Sequence, residues 1–180
     1  MRPAVDLERF GACSRHAPAR ALACPSCVAG RLAGSPHRAG RLRLVEAARA
    51  LVGAPFSYRG RAGRGGVDCS GLVVCSARAV GVPAPDFTVY PDTFVGDGFR
   101  AAWAAFCDPI ALDDVLPGDV LLCRTRRQVG HSHLVTERGT TIHAARRRGV
   151  VEEPIDGAFV RRVDSAVRIR EFRELEAARG

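Results

Sequence analysis

The chain has 180 residues, 47% of them hydrophobic, and a formal net charge of +8. That length fits one globular domain plus a short extra segment, and the apolar content supports a packed core and argues against wholesale disorder. No apolar run reaches the roughly 18 residues that a membrane-spanning helix needs, and the opening stretch MRPAVDLERFGACSRH lacks the apolar centre of a secretory signal.

Every basic residue is arginine except the histidines; lysine is absent. A basic surface favours anionic partners. Aromatic residues make up only 6% of the chain, and no basic helix carries interleaved aromatics, so nucleic acid is disfavoured as a partner.

Residues 1–38 read as a loop-rich N-terminal segment, with 28–40 as a linker to a main domain over 39–180. The segment carries Cys13-x2-His16 and Cys24-x2-Cys27. Ligands paired two residues apart are how short loops grip a tetrahedral ion. One imidazole and three thiolates suit zinc, and an iron–sulfur centre would more often use four cysteines. The expected role is a structural staple or a docking point, with no part in catalysis.

The main domain opens on a helix whose buried stripe is Leu44, Val45, Ala48, Leu51 and Val52, stopped by Gly53 and Pro55. A loop over 59–66 follows. Asp68 then stands as an N-cap, and Cys69 opens an apolar helix through Val80. An irregular loop spans 84–97, and a short helix holds Phe99, Trp103 and Phe106. The second half reads as strands: Val120–Arg124, a hairpin of Ser132–Thr136 and Thr140–Ala144, then Gly149–Glu152 and Val160–Ile169. Helices first and antiparallel strands after is an α+β layout.

The sharpest chemical signal is Asp68-Cys69-Ser70-Gly71-Leu72-Val73. A thiol at a helix N-terminus feels backbone N–H groups and the macrodipole, which lower its pKa, and a nearby imidazolium would lower it further. On that ground Cys69 is expected to titrate below a free thiol. The small Ser70 and Gly71 leave room for a substrate backbone. A hairpin turning near residues 137–139 brings His131 nearly opposite 143–145, so the imidazoles of His131 and His143 can meet. One can act as base to Cys69 while the other orients it. His133 competes with His131 for the base role, because it points to the same side of the strand.

These stretches, with Leu116-Pro117-Gly118-Asp119-Val120 and Ile142-His143-Ala144, resemble the NlpC family of cell-wall cysteine peptidases. The resemblance covers residues 41–172 and implies a papain-like fold, with the cysteine opening a helix packed on an antiparallel sheet. It implies a triad of Cys69, His131 and His143, the histidines being twelve positions apart. The implied substrate is the peptide stem of peptidoglycan. Where the family often carries Gly-x-Pro-Tyr, this chain has Gly53-Ala54-Pro55-Phe56, so Tyr58 is the nearby hydroxyl that could substitute. Tyr58, Asp68 and Ser70 are the expected substrate-facing residues. The stretch from Gly149 to Ile169 resembles phage-tail and gene-transfer-agent members, which implies a virion tail, or host cytoplasm before assembly, and tail or baseplate proteins as partners. The alternatives are an amidase of the CHAP type, which usually has Asn, Asp or Glu at the third position, and a catalytically silent tail component.

Overall fold

The structure is a computed structural model and describes residues 24–35, 37–62, 65–85, 90 and 95–171. Its first element corrects the sequence reading of 28–40 as a linker. Helix α1 (Pro25–Ala33) begins on a proline, whose missing N–H costs nothing in a first turn. Val28 and Leu32 lie four apart and are both buried, so tertiary packing holds a segment that its glycines would otherwise loosen.

Helix α2 (Arg38–Arg49) buries Leu44, Val45 and Ala48, as the periodicity predicts. It also buries Arg41 completely, a charge the apolar pattern does not predict. Val52 departs from the predicted stripe and is 45% exposed. The helix ends at Arg49, so the following turn carries Val52 off the buried face. Helix α3 (Cys69–Ala79) packs beside α2 through Leu72, Val73 and Ala77. Helix α4 (Asp97–Ala104) sets Phe99 and Trp103 into the core, and Phe106 stacks on Trp103 at 5.4 Å between ring centres.

Six strands form one antiparallel sheet: β1 (Cys107–Ile110), β2 (Val120–Thr125), β3 (Gln128–Val135), β4 (Thr140–Ala145), β5 (Gly149–Pro154) and β6 (Val163–Ile169). Their spatial order is β1-β6-β2-β3-β4-β5. The fold is α+β. Strand β1 and a one-turn helix α5 (Gly157–Val160) were not legible in the apolar pattern, both being four residues long.

Side-chain alternation divides the core. Leu122, Leu134 and Ile142 meet α2 and α3 on one face, while Leu121, Cys123 and Val135 meet Ile155, Phe159 and Val163 on the other. Asp119, in the turn before β2, ties this frame together. Its carboxylate is fully buried and accepts from Arg41 at 2.8 Å, from Arg168 at 2.8 and 3.0 Å, and from the Leu116 N–H at 2.8 Å.

Candidate active site

Cys69 is the first residue of α3, and Asp68 is its N-cap. Asp68 Oδ1 accepts from the Gly71 N–H at 2.7 Å, satisfying one of the amides that a helix start leaves without a partner. Its other oxygen accepts from the Arg59 N–H at 2.8 Å and from the Tyr90 hydroxyl. Arg61 lies 3.3 Å from Oδ1. Asp68 therefore pins the 59–61 loop and Tyr90 to the start of α3. Gly71 makes this close approach possible: a Cβ there would lie 2.0 Å from the Gly60 carbonyl oxygen.

Three histidines gather on β3 and β4. The ladder between these strands runs through Leu134↔Ile142 and Val135↔Thr141, and the imidazoles stand beyond its end. His131 Nε2 lies 2.8 Å from His143 Nδ1, and His143 Nε2 lies 2.8 Å from Glu153 Oε2 on β5. Glu153 is held in turn by Arg148. His133 stacks on His143 at 4.1 Å, packs edge-on to Phe159, and its Nδ1 lies 3.2 Å from the Thr141 hydroxyl.

These contacts assign the protons. The Arg148 guanidinium beside Glu153 holds its carboxyl down at about 2, so at neutral pH Glu153 only accepts. His143 must then carry its proton on Nε2. Burial lowers the pKa of His143 against the opposing pull of Glu153, so the ring is neutral and Nδ1 is an acceptor. His131 donates Nε2–H to it. Burial, reinforced by the Arg162 charge, lowers His131 to about 4, so its Nδ1 keeps a free lone pair. Four residues in a row thus present a general base.

The thiol behaves differently from the sequence expectation. Burial raises the pKa of Cys69 and the Asp68 carboxylate raises it further, while Ser132 and Ser70 pull the other way. Desolvation thus opposes the helix terminus. The thiol and the imidazole that line this cleft are both driven towards their neutral forms, so a thiolate would arise by proton transfer. Cys107 and Cys123 are buried and their thiols are also pushed up, Cys123 to about 12, which leaves them inert.

Cys69, His131, His133 and His143 line one open cleft of about 990 Å³. Phe56, Tyr58, Tyr90 and Phe99 form part of its wall. The Tyr58 hydroxyl donates to the Tyr90 carbonyl at 2.8 Å, and the two rings meet edge to face. Tyr58, Asp68 and Ser70 all border the cleft. Asp68 and Ser70 are buried, and the Asp68 carboxylate is spent on internal contacts.

Cys24 caps α1 and Cys27 sits in its first turn, both half-buried. Cys13 and His16 lie outside the described residues. The sequence reading missed Glu153 as a partner of His143 and gave Tyr90 no role. Strand alternation offered one signal for Glu153: the register sets it opposite Thr141, two rungs from the pair His143↔Val151 and so on the same face of the sheet.

A cysteine at a helix start, in one cleft with a histidine chain on an antiparallel sheet, is the arrangement that a thiol hydrolase needs. The NlpC/P60 family model matches residues 53–169, well over half of the chain, and the protein belongs to that family. Over 105 residues it is 32% identical to probable endopeptidases of Mycobacterium tuberculosis and Mycobacterium bovis. That match covers 58% of this chain and 23% of each relative, so the chain spans less than a quarter of their length. The peptidoglycan hydrolase RipB of M. tuberculosis shares the fold with a TM-score of 0.52 and 21% identity, over 93% of this chain and 95% of that one. An NlpC/P60 family protein from Bacillus cereus superposes with a TM-score of 0.56 and 20% identity, over 72% of this chain and 40% of that one.

Proposed function

We propose that the protein is a cysteine endopeptidase that hydrolyses peptide bonds in the stem peptides of bacterial peptidoglycan. The observation that carries this reading is the chain His131–His143–Glu153, which leaves one imidazole lone pair for the thiol of Cys69. The relatives named as endopeptidases support peptide hydrolysis, and the structural neighbour named a peptidoglycan hydrolase supports the substrate.

In this reading His131 Nδ1 takes the thiol proton as Cys69 Sγ attacks the scissile carbonyl carbon. First-turn N–H groups of α3 stabilise the oxyanion that forms. The intermediate collapses, the C–N bond breaks, and His131 returns its proton to the leaving amine. A water then loses a proton to the same nitrogen and attacks the thioester. The acid product leaves and the proton returns to sulfur. His143 and Glu153 hold the His131 tautomer throughout.

The test is mass spectrometry of purified peptidoglycan digested by the wild type and by Cys69→Ala. New free amino termini within stem peptides, present only with the wild type, are the expected result. Cleavage of the sugar–peptide amide would point to an amidase instead, and unchanged muropeptides would end the enzymatic reading.

Two finer proposals rest on sequence alone. Placement on a phage or gene-transfer-agent tail rests on the resemblance of residues 149–169. A structural zinc held by Cys13, His16, Cys24 and Cys27 rests on their paired spacing and on the chemistry of a three-thiolate, one-imidazole set.

A further inference from the structure

The arginines of this protein fall into two groups. Most described ones near an acid are paired: Arg41 and Arg168 with Asp119, Arg100 and Arg124 with Asp164, and Arg148 with Glu153. Four others line the reactive cleft, namely Arg126, Arg127, Arg146 and Arg162. Among the described residues none of these four makes an ion pair, although Arg124 and Arg148, two positions from Arg126 and Arg146, are both paired.

Three separate turns deliver them. Arg126 and Arg127 are the two central residues of the β2–β3 hairpin, between Thr125 and Gln128. Arg146 follows β4, and Arg162 follows α5 with its guanidinium over the Phe159 ring at 5.5 Å. Arg126 sits at φ 60, the left-handed region. A two-residue hairpin turn with positive φ at its first central residue normally recruits glycine there, because an ordinary side chain meets steric resistance. Two arginines occupy the turn instead, and their placement projects charge at the cleft. The remaining wall is aromatic, from Phe56, Tyr58, Tyr90 and Phe99. A cleft with one cationic rim and one aromatic wall suits a ligand with carboxylates along one edge.

We propose that Arg126, Arg127, Arg146 and Arg162 form a carboxylate-reading rim, so that the cleft selects peptides with free acidic groups flanking the scissile bond over their amidated counterparts. This rests on the peptidase reading and adds a substrate preference to it. The guanidinium is suited to the task because it stays charged at any physiological pH and offers forked donors. The Arg162 charge also adds to burial in lowering the pKa of His131.

The test uses the full chain and two synthetic stem tetrapeptides, one with free side-chain carboxylates and one with those groups amidated. Affinity is measured by calorimetry on Cys69→Ala, and cleavage by chromatography on the otherwise wild-type protein. The acid form is expected to bind about tenfold more tightly, with the preference shrinking at high salt. Adding Arg126→Gln and Arg127→Gln together should bring the ratio of the two affinities near one, as should pairing Arg146→Gln with Arg162→Gln. Arg147→Gln, in the same β4–β5 turn but not lining the cleft, should leave the ratio intact. Equal affinities, no binding of either peptide, or tighter binding of a short oligonucleotide than of the acid peptide would overturn the rim. Selective binding without cleavage would uphold the rim and overturn the peptidase reading.

Discussion

His143 Nε2 lies 2.8 Å from Glu153 Oε2, and this one contact fixes where every proton in the histidine chain resides. An ionised carboxylate accepts and never donates, so the ring beside it has one permitted tautomer. That tautomer makes His143 an acceptor for His131, and in the proposed mechanism it leaves His131 as the base for Cys69.

Glu153→Gln should therefore slow turnover without emptying the cleft. A glutamine can either donate or accept, so it no longer dictates the His143 tautomer. We expect kcat to fall by about 10- to 100-fold with KM nearly unchanged, read by chromatography of a cleaved stem peptide. An unaltered kcat would detach Glu153 from the relay.

The two strand histidines should separate cleanly. His131→Ala removes the base and should reduce kcat/KM by several orders of magnitude, while His133→Gln should leave most of it. The Nδ1 of His133 is occupied by Thr141 and its ring is wedged between His143 and Phe159. The reverse ranking would move the base to His133.

Activity and alkylation should have different pH profiles. The base works when His131 is neutral, so kcat/KM should hold down to about 5 and fall as pH drops through about 4. Reaction of the resting thiol with iodoacetamide should instead be slow at pH 6 and rise with alkalinity, since burial raises the pKa of Cys69. Fast alkylation at pH 6 would mean a preformed thiolate.

Acid should also weaken the fold. For His131 the folded value of about 4 lies below the ordinary 6.5, so between these values the unfolded chain binds the proton and the folded one does not. His133 and His143 are lowered as well, by burial first. Stability is intact above pH 6.5 and is lost as pH falls from there towards 4. Glu153 adds a loss that begins as pH falls below its ordinary 4.5 and runs down to about 2. Thermal melts at pH 7 and pH 5 should differ by several degrees, and His133→Phe should narrow that gap.

Gly71→Ala should damage the site from a distance. The added methyl would collide with the Gly60 carbonyl oxygen and push the 59–61 loop off the Asp68 carboxylate. Asp119→Ala should cost more, on the order of 3–5 kcal/mol, because it strips the carboxylate from the fully buried Arg41. Urea denaturation would measure both, and a change under about 1 kcal/mol for Asp119→Ala would show that Arg41 finds other compensation.

Local rules carried the sequence reading a long way. The N-cap at Asp68, the helix opened by Cys69 and the hairpin that joins His131 to His143 depend on neighbours a few residues apart, and their spacing is visible in the chain. So was the α+β layout, because apolar periodicity changes from helical to alternating after residue 115. What tertiary structure decided depends on groups that meet from afar. Burial raises the Cys69 pKa, against the direction that the helix terminus alone suggests. Arg41 sits in the core because Asp119, 78 positions away, waits there. Glu153 reaches His143 only because β5 pairs with β4, and the four cleft arginines converge only because three turns end at one cleft. Helix α1 formed where glycines suggested a linker, because Val28 and Leu32 found a core to enter. Desolvation and long-range charge have no period along a chain, so they become legible only once it has folded.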